Sequence, residues 1–443
     1  MKRTIKEVEE LSGKKVLLRA DFNVPLDENT NAILDTTRIT EELPTIQYLV
    51  EAGAKVIVCS HLGRPTGVEE KYSLKPVADE LAKHFEGKVT FCPVTIGTEA
   101  KKMVRKLKDG EILVLENVRF DEREEANDPK FAKELASLAE FYVNDAFGTA
   151  HRKHASTYGV AEILPSAIGF LIEKELSVIE NAYTNPQRPF VAVLGGAKVK
   201  DKINVIKKLI DVADTVLIGG GMAFTFLAAQ GRNIGDSLFA EENLNDAKNI
   251  LKLAEKKGKK LLLPIDNVAL ENNKVYKVVE MHEGMEGLDI GPKTVKMFIK
   301  EIKKAGQIVW NGPVGKYEDK RFAKGTNKIA KAIAKSKAFS IIGGGDSISA
   351  INACGCAEQI NHLSTGGGAS LKLMEGSSLP AVDIIGKVKK LKVDSTKKKS
   401  SAKSKKAPAK TKCKKEKVEE WNIFTEILKW IQLFLMLKHT WWH

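Results

Sequence analysis

Residues 190–203, FVAVLGGAKVKDKI, set two lysines one helical turn apart directly behind a glycine pair. A β-branched run stops at Gly195-Gly196. Val199, Ile203, Ile206 and Ile210 then recur at helical spacing as a buried stripe, with Lys198 and Lys202 to one side of it. Glycines let backbone N–H groups approach a phosphate, a helix start favours negative charge, and two ammonium groups add mobile positive charge. The same pattern also suits a plain strand-to-helix turn whose lysines form a solvated face. Residues 215–227, TVLIGGGMAFTFL, and 339–351, FSIIGGGDSISAI, repeat the order of apolar strand, three glycines and helix. Gly219 and Gly220 stand in the first of these, and Gly344, Gly345, Asp346 and Ser347 in the second. A carboxylate such as Asp346 at a helix start either caps the helix or holds a magnesium ion beside phosphates. No G-x-x-x-x-G-K-[ST] occurs, which excludes a Walker-type loop.

The first half carries a different set of chemistry-bearing residues. KVLLRADFNVP (15–25) runs from a strand into a loop with Asp21 and Asn23, and Arg38 follows in DTTRI. VIVCSHLGRPTG ends in His61, Gly63 and Arg64, ILVLENVRF ends in Arg119, and EFYVNDAFGTAHRKHAS ends in His151, Arg152 and His154. Each of these strands delivers a cation or an amide to the loop after it. Open α/β sheets bind ligands outside the carboxyl ends of their strands, so Arg38, His61, Arg64, Arg119 and Arg152 could converge on a small, multiply charged anion. Scattered arginines are more commonly surface residues, and convergence is what the fold must supply.

The elements that would position these groups are short apolar strands alternating with amphipathic helices, the pattern of parallel α/β sheets. A length of 443 residues with 43% hydrophobic content suits two or three domains with real cores. The helix-like run LPSAIGFLIEKELSVIENAY (164–183) followed by the turn-rich NPQRP marks the junction between two halves. The second half adds LLLPIDNVAL, GLDIGPKT and IVWNGPVGKYE; the last brings Asn311, a Gly312-Pro313 turn and Glu318, a residue type that can bond ribose hydroxyls or simply face solvent. A fourth glycine-rich turn, STGGGASL, opens a helix at 364–371 and serves either as a second hinge or as a closing edge of the phosphate site.

The formal charge of +14 resembles that of a nucleic-acid-binding protein until it is located. Residues 387–443 hold 17 of the 71 basic and 5 of the 57 acidic residues, leaving 54 against 52 for the body. A nearly neutral body gives no argument for specific nucleic-acid binding. Five cysteines with one C-x-C pair do not make a zinc pattern and read as reduced thiols. The N-terminus has acidic residues and no apolar h-region, so it does not read as a signal peptide. Residues 387–417 are a lysine-rich linker unable to fold alone, and 418–443 form an apolar amphipathic segment too short and too polar on one side for a bilayer span. Five readings stand for this tail: an interfacial anchor on anionic lipid, a partner-docking helix, an organelle-targeting extension, a lysine run that binds nucleic acid nonspecifically, or a non-native terminus with no selected role.

Taken in order, RADFNVP, SHLGRP, ENVRF, NDAFGTAHRKHAS, LGGAKVKDKI, GGGMAFTF, GLDIGPKT, WNGPVGKYE, GGGDS and STGGGASL make residues 1 to about 386 resemble the phosphoglycerate kinases. The resemblance implies an α/β fold of two Rossmann-like domains with parallel sheets separated by a hinged cleft. Residues 1–170, with 365–386 packing back at the hinge, would bind 3-phosphoglycerate or 1,3-bisphosphoglycerate, and 171–364 would bind ATP or ADP with Mg2+. It implies substrate contacts from Asp21, Asn23, Arg38, His61, Leu62, Gly63, Arg64, Arg119 and Arg152. Nucleotide contacts would come from Lys202, Gly219, Gly220, Gly287, Leu288, Glu318, Gly344, Gly345, Asp346 and Ser347, with Asp346 on the metal. Arg38, Lys198, Gly366 and Gly367 would serve the transfer itself, in a monomeric cytoplasmic enzyme of glycolysis and gluconeogenesis. A rival reading is a non-catalytic scaffold with a kinase-like body. Both lysines, Asp346 and the five pocket cations are present, which argues against it.

Overall fold

Runs of four or five branched aliphatic residues have no polar face to offer water, so they form parallel strands covered by helices on both sides. In the first half these are β1 (Lys15–Arg19), β2 (Lys55–Cys59), β3 (Val89–Cys92), β4 (Ile112–Leu115), β5 (Phe141–Asn144) and β6 (Ser166–Ile168). They pair in the order β3-β4-β2-β1-β5-β6, all parallel, with Val16 opposite Val56 on one side and Phe141 on the other. The computed structural model describes residues 2–27 and 29–386. The readings of 387–417 and 418–443 lie outside those residues.

The second half contributes β7 (Phe190–Leu194), β8 (Thr215–Ile218), β9 (Lys260–Leu262), β10 (Asn267–Glu271), β11 (Lys274–Val278), β12 (Glu286–Ile290), β13 (Gln307–Asn311), β14 (Phe339–Gly343) and β15 (His362–Ser364). Its parallel sheet runs β15-β14-β13-β7-β8-β9. In each sheet the chain reverses its direction of travel beside a central strand, β1 in the first and β7 in the second, the kind of switch point where open sheets leave a crevice. The molecule is thus two α/β domains, linked by the helix Phe170–Thr184.

Of the three large apolar clusters, two each cover one face of one sheet and one is shared. It runs from Leu17, Ile57 and Leu113 through Ile172 and Ile179 of the linking helix to Ala192, Val216 and Ile341. The segment after β15 returns to the first sheet: Ala381 N–H donates to the Ala150 carbonyl, Asn144 Nδ2 to the Ala381 carbonyl and Gly386 N–H to Ser166 Oγ. No helix among the described residues is long and apolar enough to cross a membrane.

The structure corrects the sequence reading in four places. β3 and β6 were not anticipated, and neither is followed by a cation or an amide, so the regularity of the other four strands of the first half stops at the two sheet edges. The helix-like run from 164 is a strand at Ser166–Ile168 before it is a helix at Phe170–Thr184. Behind Gly195-Gly196 the chain makes only a 3₁₀ turn, Lys200–Lys202, and the α-helix waits until Ile203–Val212. Finally, β10, β11 and β12 leave the parallel sheet for a small antiparallel one, β11-β10-β12. There Asn272 and Asn273, with φ of 46° and 59°, close a two-residue hairpin between Glu271 and Lys274.

Candidate active site

The loops after β1, β2, β4 and β5 close around a cavity of about 250 Å³, lined by Asp21, Asn23, Arg38, His61, Gly63, Arg64, Arg119, Gly148, Thr149 and Arg152. Arg38, at the start of helix Thr37–Glu51, donates from Nη1 to Asp21 Oδ2 at 2.6 Å. Asn23 Oδ1 accepts from Gly63 N–H at 2.8 Å, and Arg119 Nη1 donates to the Gly63 carbonyl at 2.6 Å. The Arg119 guanidinium also pairs with Glu125 at 2.9 Å, and Arg152 Nε contacts His151 Nε2 at 3.1 Å. Leu62 stands apart from the lining: it is buried, and its N–H is held by Asn117 Oδ1. A Cβ on Gly148 would strike the Asp21 carboxylate, so only glycine lets this loop close on the carboxylate.

Charge in this cavity resides on guanidinium groups. Burial alone would raise the Asp21 carboxyl, but the Arg38 and Arg19 guanidinium groups and the Asn23 N–H help to hold it at about 2. Burial, reinforced by the surrounding arginines, drives His61 well below its usual value and His154 to about 3; burial and Arg152 also lower His151. These histidines are therefore neutral at pH 7, and their rings serve as hydrogen-bonding groups while Arg38, Arg64, Arg119 and Arg152 carry the positive field. Such a cavity suits a compact anion, since guanidinium forks match phosphate or carboxylate oxygens.

The second half builds its edge from main chain. Gly196 N–H donates to the Pro313 carbonyl, Gly220 N–H to the Val314 carbonyl and Met222 N–H to the Gly196 carbonyl, so the turns after β7, β8 and β13 are meshed. A Cβ on Gly195 would collide with the Pro313 carbonyl, and one on Gly312 with both the Gly195 carbonyl and Lys202 Nζ. Ser347 Oγ, in the first turn of helix Gly345–Ala353, accepts from Gly312 N–H at 2.6 Å. Asn311 Nδ2 donates to the Gly343 carbonyl, tying β13 to the turn where Gly344 (φ +93°) swings the chain into that helix. Lys202 is buried and donates to the Gly195 and Asn311 carbonyls at 2.5 and 3.1 Å. Burial lowers its ammonium to about 8 against the pull of Asp346 and Asp201. Gly345, Asp346, Lys198 and Glu318 are exposed. Gly287 touches the Phe224 ring so closely that a Cβ would overlap it, and Leu288, Gly220, Phe224 and Asn267 border a shallow crevice beside it.

One turn adjoins both sites. A Cβ on Gly366 would meet Phe147, one on Gly368 would lie 3.1 Å from the His151 ring, and Arg38 Nη2 donates to the Thr365 carbonyl at 3.3 Å. On the other side, Gly343 at the end of β14 has Ser370 and Met374 as neighbours. Gly367, with φ of 48°, opens the helix Gly368–Met374. Glu175 of the linking helix anchors this turn through His362 Nε2 (2.8 Å) and Thr365 N–H (2.9 Å), both buried or half-buried.

The structure therefore gathers Asp21, Asn23, Arg38, His61, Gly63, Arg64, Arg119 and Arg152 into one cavity and Lys202, Gly219, Gly220, Gly344 and Ser347 into one backbone mesh. It separates the two lysines that the sequence placed side by side: without an α-helix at 198–202, Lys202 turns inward and Lys198 stays in solvent. Gly148 and Thr149 were missed, although they sit in the same AFGTAHR run as Arg152. So was fully buried Arg19, which donates to Ser156 Oγ and faces His61 Nδ1. Among the described residues, no group of three or more His, Cys, Asp or Glu could hold a metal ion unaided.

Known proteins resemble this chain along most of its length. Residues 5–377 match the family model described as phosphoglycerate kinase. The phosphoglycerate kinase of Koribacter versatilis is 52% identical over 400 residues, covering 87% of this chain and 99% of that protein. That of Clostridium tetani is 49% identical over 392 residues, covering 86% and 97%. The solved structure of phosphoglycerate kinase from Coxiella burnetii superposes with a TM-score of 0.77 at 38% identity, covering 87% of this chain and 98% of that one. The Pyrococcus horikoshii structure gives 0.75 at 33% identity, covering 86% and 98%.

Proposed function

From the premise that this chain belongs to the phosphoglycerate kinase family, we propose that the cationic cavity and the glycine-meshed sheet edge are the two halves of its active site. The chain is an ATP-dependent kinase of glycolysis, moving a phosphoryl group reversibly between 1,3-bisphosphoglycerate with ADP and 3-phosphoglycerate with ATP. In this reading 3-phosphoglycerate occupies the cavity of Asp21, Asn23, Arg38, His61, Arg64, Arg119 and Arg152. The nucleotide lies along Lys202, Gly219, Gly220, Gly287, Leu288, Glu318 and the 344–347 turn. Residues 1–170 with 365–386, and 171–364, are the two closing bodies of a cytoplasmic monomer.

The acceptor is a carboxylate, already ionised, and the leaving group is a diphosphate, so the reaction needs no general base. The neutral, buried histidines are in keeping with that. What remains is alignment and charge cancellation over the transferring group, work suited to Arg38, Lys198, helix starts and the Gly366-Gly367 turn. Closure of the cleft would exclude water from the acyl phosphate. Asp346 is an exposed carboxylate in the first turn of its helix and is electrostatically coupled to Lys202. That donor suits Mg2+ only when phosphate oxygens complete the shell, and the ion would then offset phosphate charge.

The observation that carries the reading is Arg38, which bonds Asp21 inside the cavity and the Thr365 carbonyl on the turn shared with the second sheet. Calorimetric titration tests it: Arg152→Ala should lose 3-phosphoglycerate binding and keep ATP, and Lys202→Ala should do the reverse. Matched losses of both ligands in both variants would refute the division of labour. We assign the tail no part in either pocket; a chain ending at Gly386 should keep full turnover. The lysine run is assigned to an anionic surface, and a liposome pull-down that retains full-length and truncated chains equally would refute this.

A further inference from the structure

Helix Thr37–Glu51 carries three side chains on one face that reach in different directions: Arg38, Glu42 and Thr45. Arg38 holds Asp21, as described. Glu42 is fully buried, and its Oε1 accepts from Asp21 N–H at 3.0 Å. Thr45 Oγ1 donates to Asp145 Oδ2 and accepts from Phe170 N–H at 2.9 Å. Asp145 is also fully buried, and its Oδ1 accepts from Ile172 N–H at 2.8 Å, so its carboxylate caps the start of the helix linking the two sheets. A Cβ on Gly169 would overlap that carboxyl group, so the helix start sits directly on it.

The second oxygen of Glu42 is buried and has no donor from the protein. Thr45, one turn along the same face of the helix, holds the Asp145 carboxyl on that side. Two carboxyl groups can face each other in a dry interior only when a proton stands between them, because neither ionised group can donate. We propose that Glu42 and Asp145 share one proton and act as a positioning pair, locking the start of helix Phe170–Thr184 to the Asp21–Arg38 pair of the substrate cavity. Burial raises both groups, Glu42 well above its usual value and Asp145 to about 6, in keeping with a single shared charge. Neither residue touches substrate. Their effect passes through the Asp21 backbone, and this role rests on the cavity being the 3-phosphoglycerate site.

Steady-state kinetics of the full-length chain, varying each substrate in turn, tests the pair. Glu42→Ala leaves Asp21 N–H without its acceptor and Asp145 without its proton; KM for 3-phosphoglycerate should rise roughly tenfold while KM for ATP stays within about twofold. Glu42→Gln keeps an acceptor for Asp21 and supplies a permanent donor to Asp145, so it should restore KM to within about twofold of the parent. A Glu42→Gln protein as impaired as Glu42→Ala overturns the shared proton, and a Glu42→Ala protein in which both KM values move alike, or neither moves, overturns the positioning role. If Glu42→Ala does not fold, Glu42→Leu fills the space without an acceptor and gives the same reading. Arg64→Ala is the control for the cavity: it should raise KM for 3-phosphoglycerate whatever the pair does. An unchanged value there overturns the cavity assignment and the pair's role with it.

Discussion

The two halves of the molecule present positive charge by opposite means. The first presents side chains: four arginines line its cavity, and one of them, Arg38, with Arg19 behind it, helps hold buried Asp21 at about 2. The second presents backbone, with turns after β7, β8, β13 and β14 meshed so closely that a methyl group on Gly195 or Gly312 would not fit. Buried carboxylates register the difference. Asp289, in the second half, accepts from Gly325 and Ile290 N–H groups, yet burial dominates and pushes it up to about 7. Side chains supply full charge and can move, whereas backbone supplies partial charge and fixed shape. A small substrate with two anionic ends suits the first, and a polyphosphate laid along helix starts suits the second.

The largest expected effect comes from removing the side chain that adjoins both halves. Arg38→Ala should lower kcat roughly 1,000-fold with little change in ATP affinity, because one preorganised donor at a transferring group is worth that much. Turnover within tenfold of the parent would remove Arg38 from its assigned role. Next comes the contrast in carboxylates. Asp289 has a folded pKa above its unfolded value, so it favours the folded state while neutral, and that contribution is lost as pH rises from about 4 to about 7. The loss amounts to about 4 kcal/mol as an upper figure. Asp21 has the opposite sign: its contribution of about 2 kcal/mol is present above pH 4 and lost as pH falls toward 2. Denaturant unfolding of Asp289→Asn beside the parent, from pH 4 to pH 7, should show the variant gaining relative stability; parallel curves would contradict the assignment.

Smaller effects separate the two styles of recognition further. Gly312→Ala should cost about 1–3 kcal/mol in overall stability and weaken ATP while leaving 3-phosphoglycerate affinity unchanged, since the added methyl group parts the Gly195 turn from Lys202. Equal weakening of both ligands would show that the mesh also shapes the first cavity. The mildest test uses pH alone. Lys202 titrates near 8 in the free protein, so a phosphate that prefers its ammonium form should bind less tightly as pH climbs from 8 to 10. The guanidinium-lined cavity keeps its charge over that range. A titration in which 3-phosphoglycerate weakens in step with ATP would remove the distinction.

Much of this was legible in the sequence because strand ends announce themselves: an apolar run followed by Gly-Gly or by His-x-Gly-Arg tells both where a parallel strand stops and what it offers. The elements that escaped lack that signature. β3 alternates half-buried residues at a sheet edge, β6 is only three residues long, and β11 is an exposed hairpin strand. The helix start at Ile203 was misplaced because the chain first makes the 3₁₀ turn Lys200–Lys202, and Lys202, with φ of −120° and ψ of −2°, is the N-cap of the α-helix rather than part of it. That single shift decides why one lysine is buried and the other exposed. Glu42 left a trace that could have been followed. It occupies a position of the apolar stripe formed by Ile39, Ile46, Leu49 and Val50, where a carboxyl is out of place unless something buried answers it. Asp145 gave no such warning, since an Asp after a strand is ordinary loop chemistry.

The shared apolar cluster has a thermal consequence. Because Leu17 and Val216 belong to one continuous packing unit through Ile172 and Ile179, neither lobe can melt without stripping contacts from the other. Heating should therefore give one calorimetric peak, its van't Hoff enthalpy matching the measured heat, rather than the two steps of beads on a string.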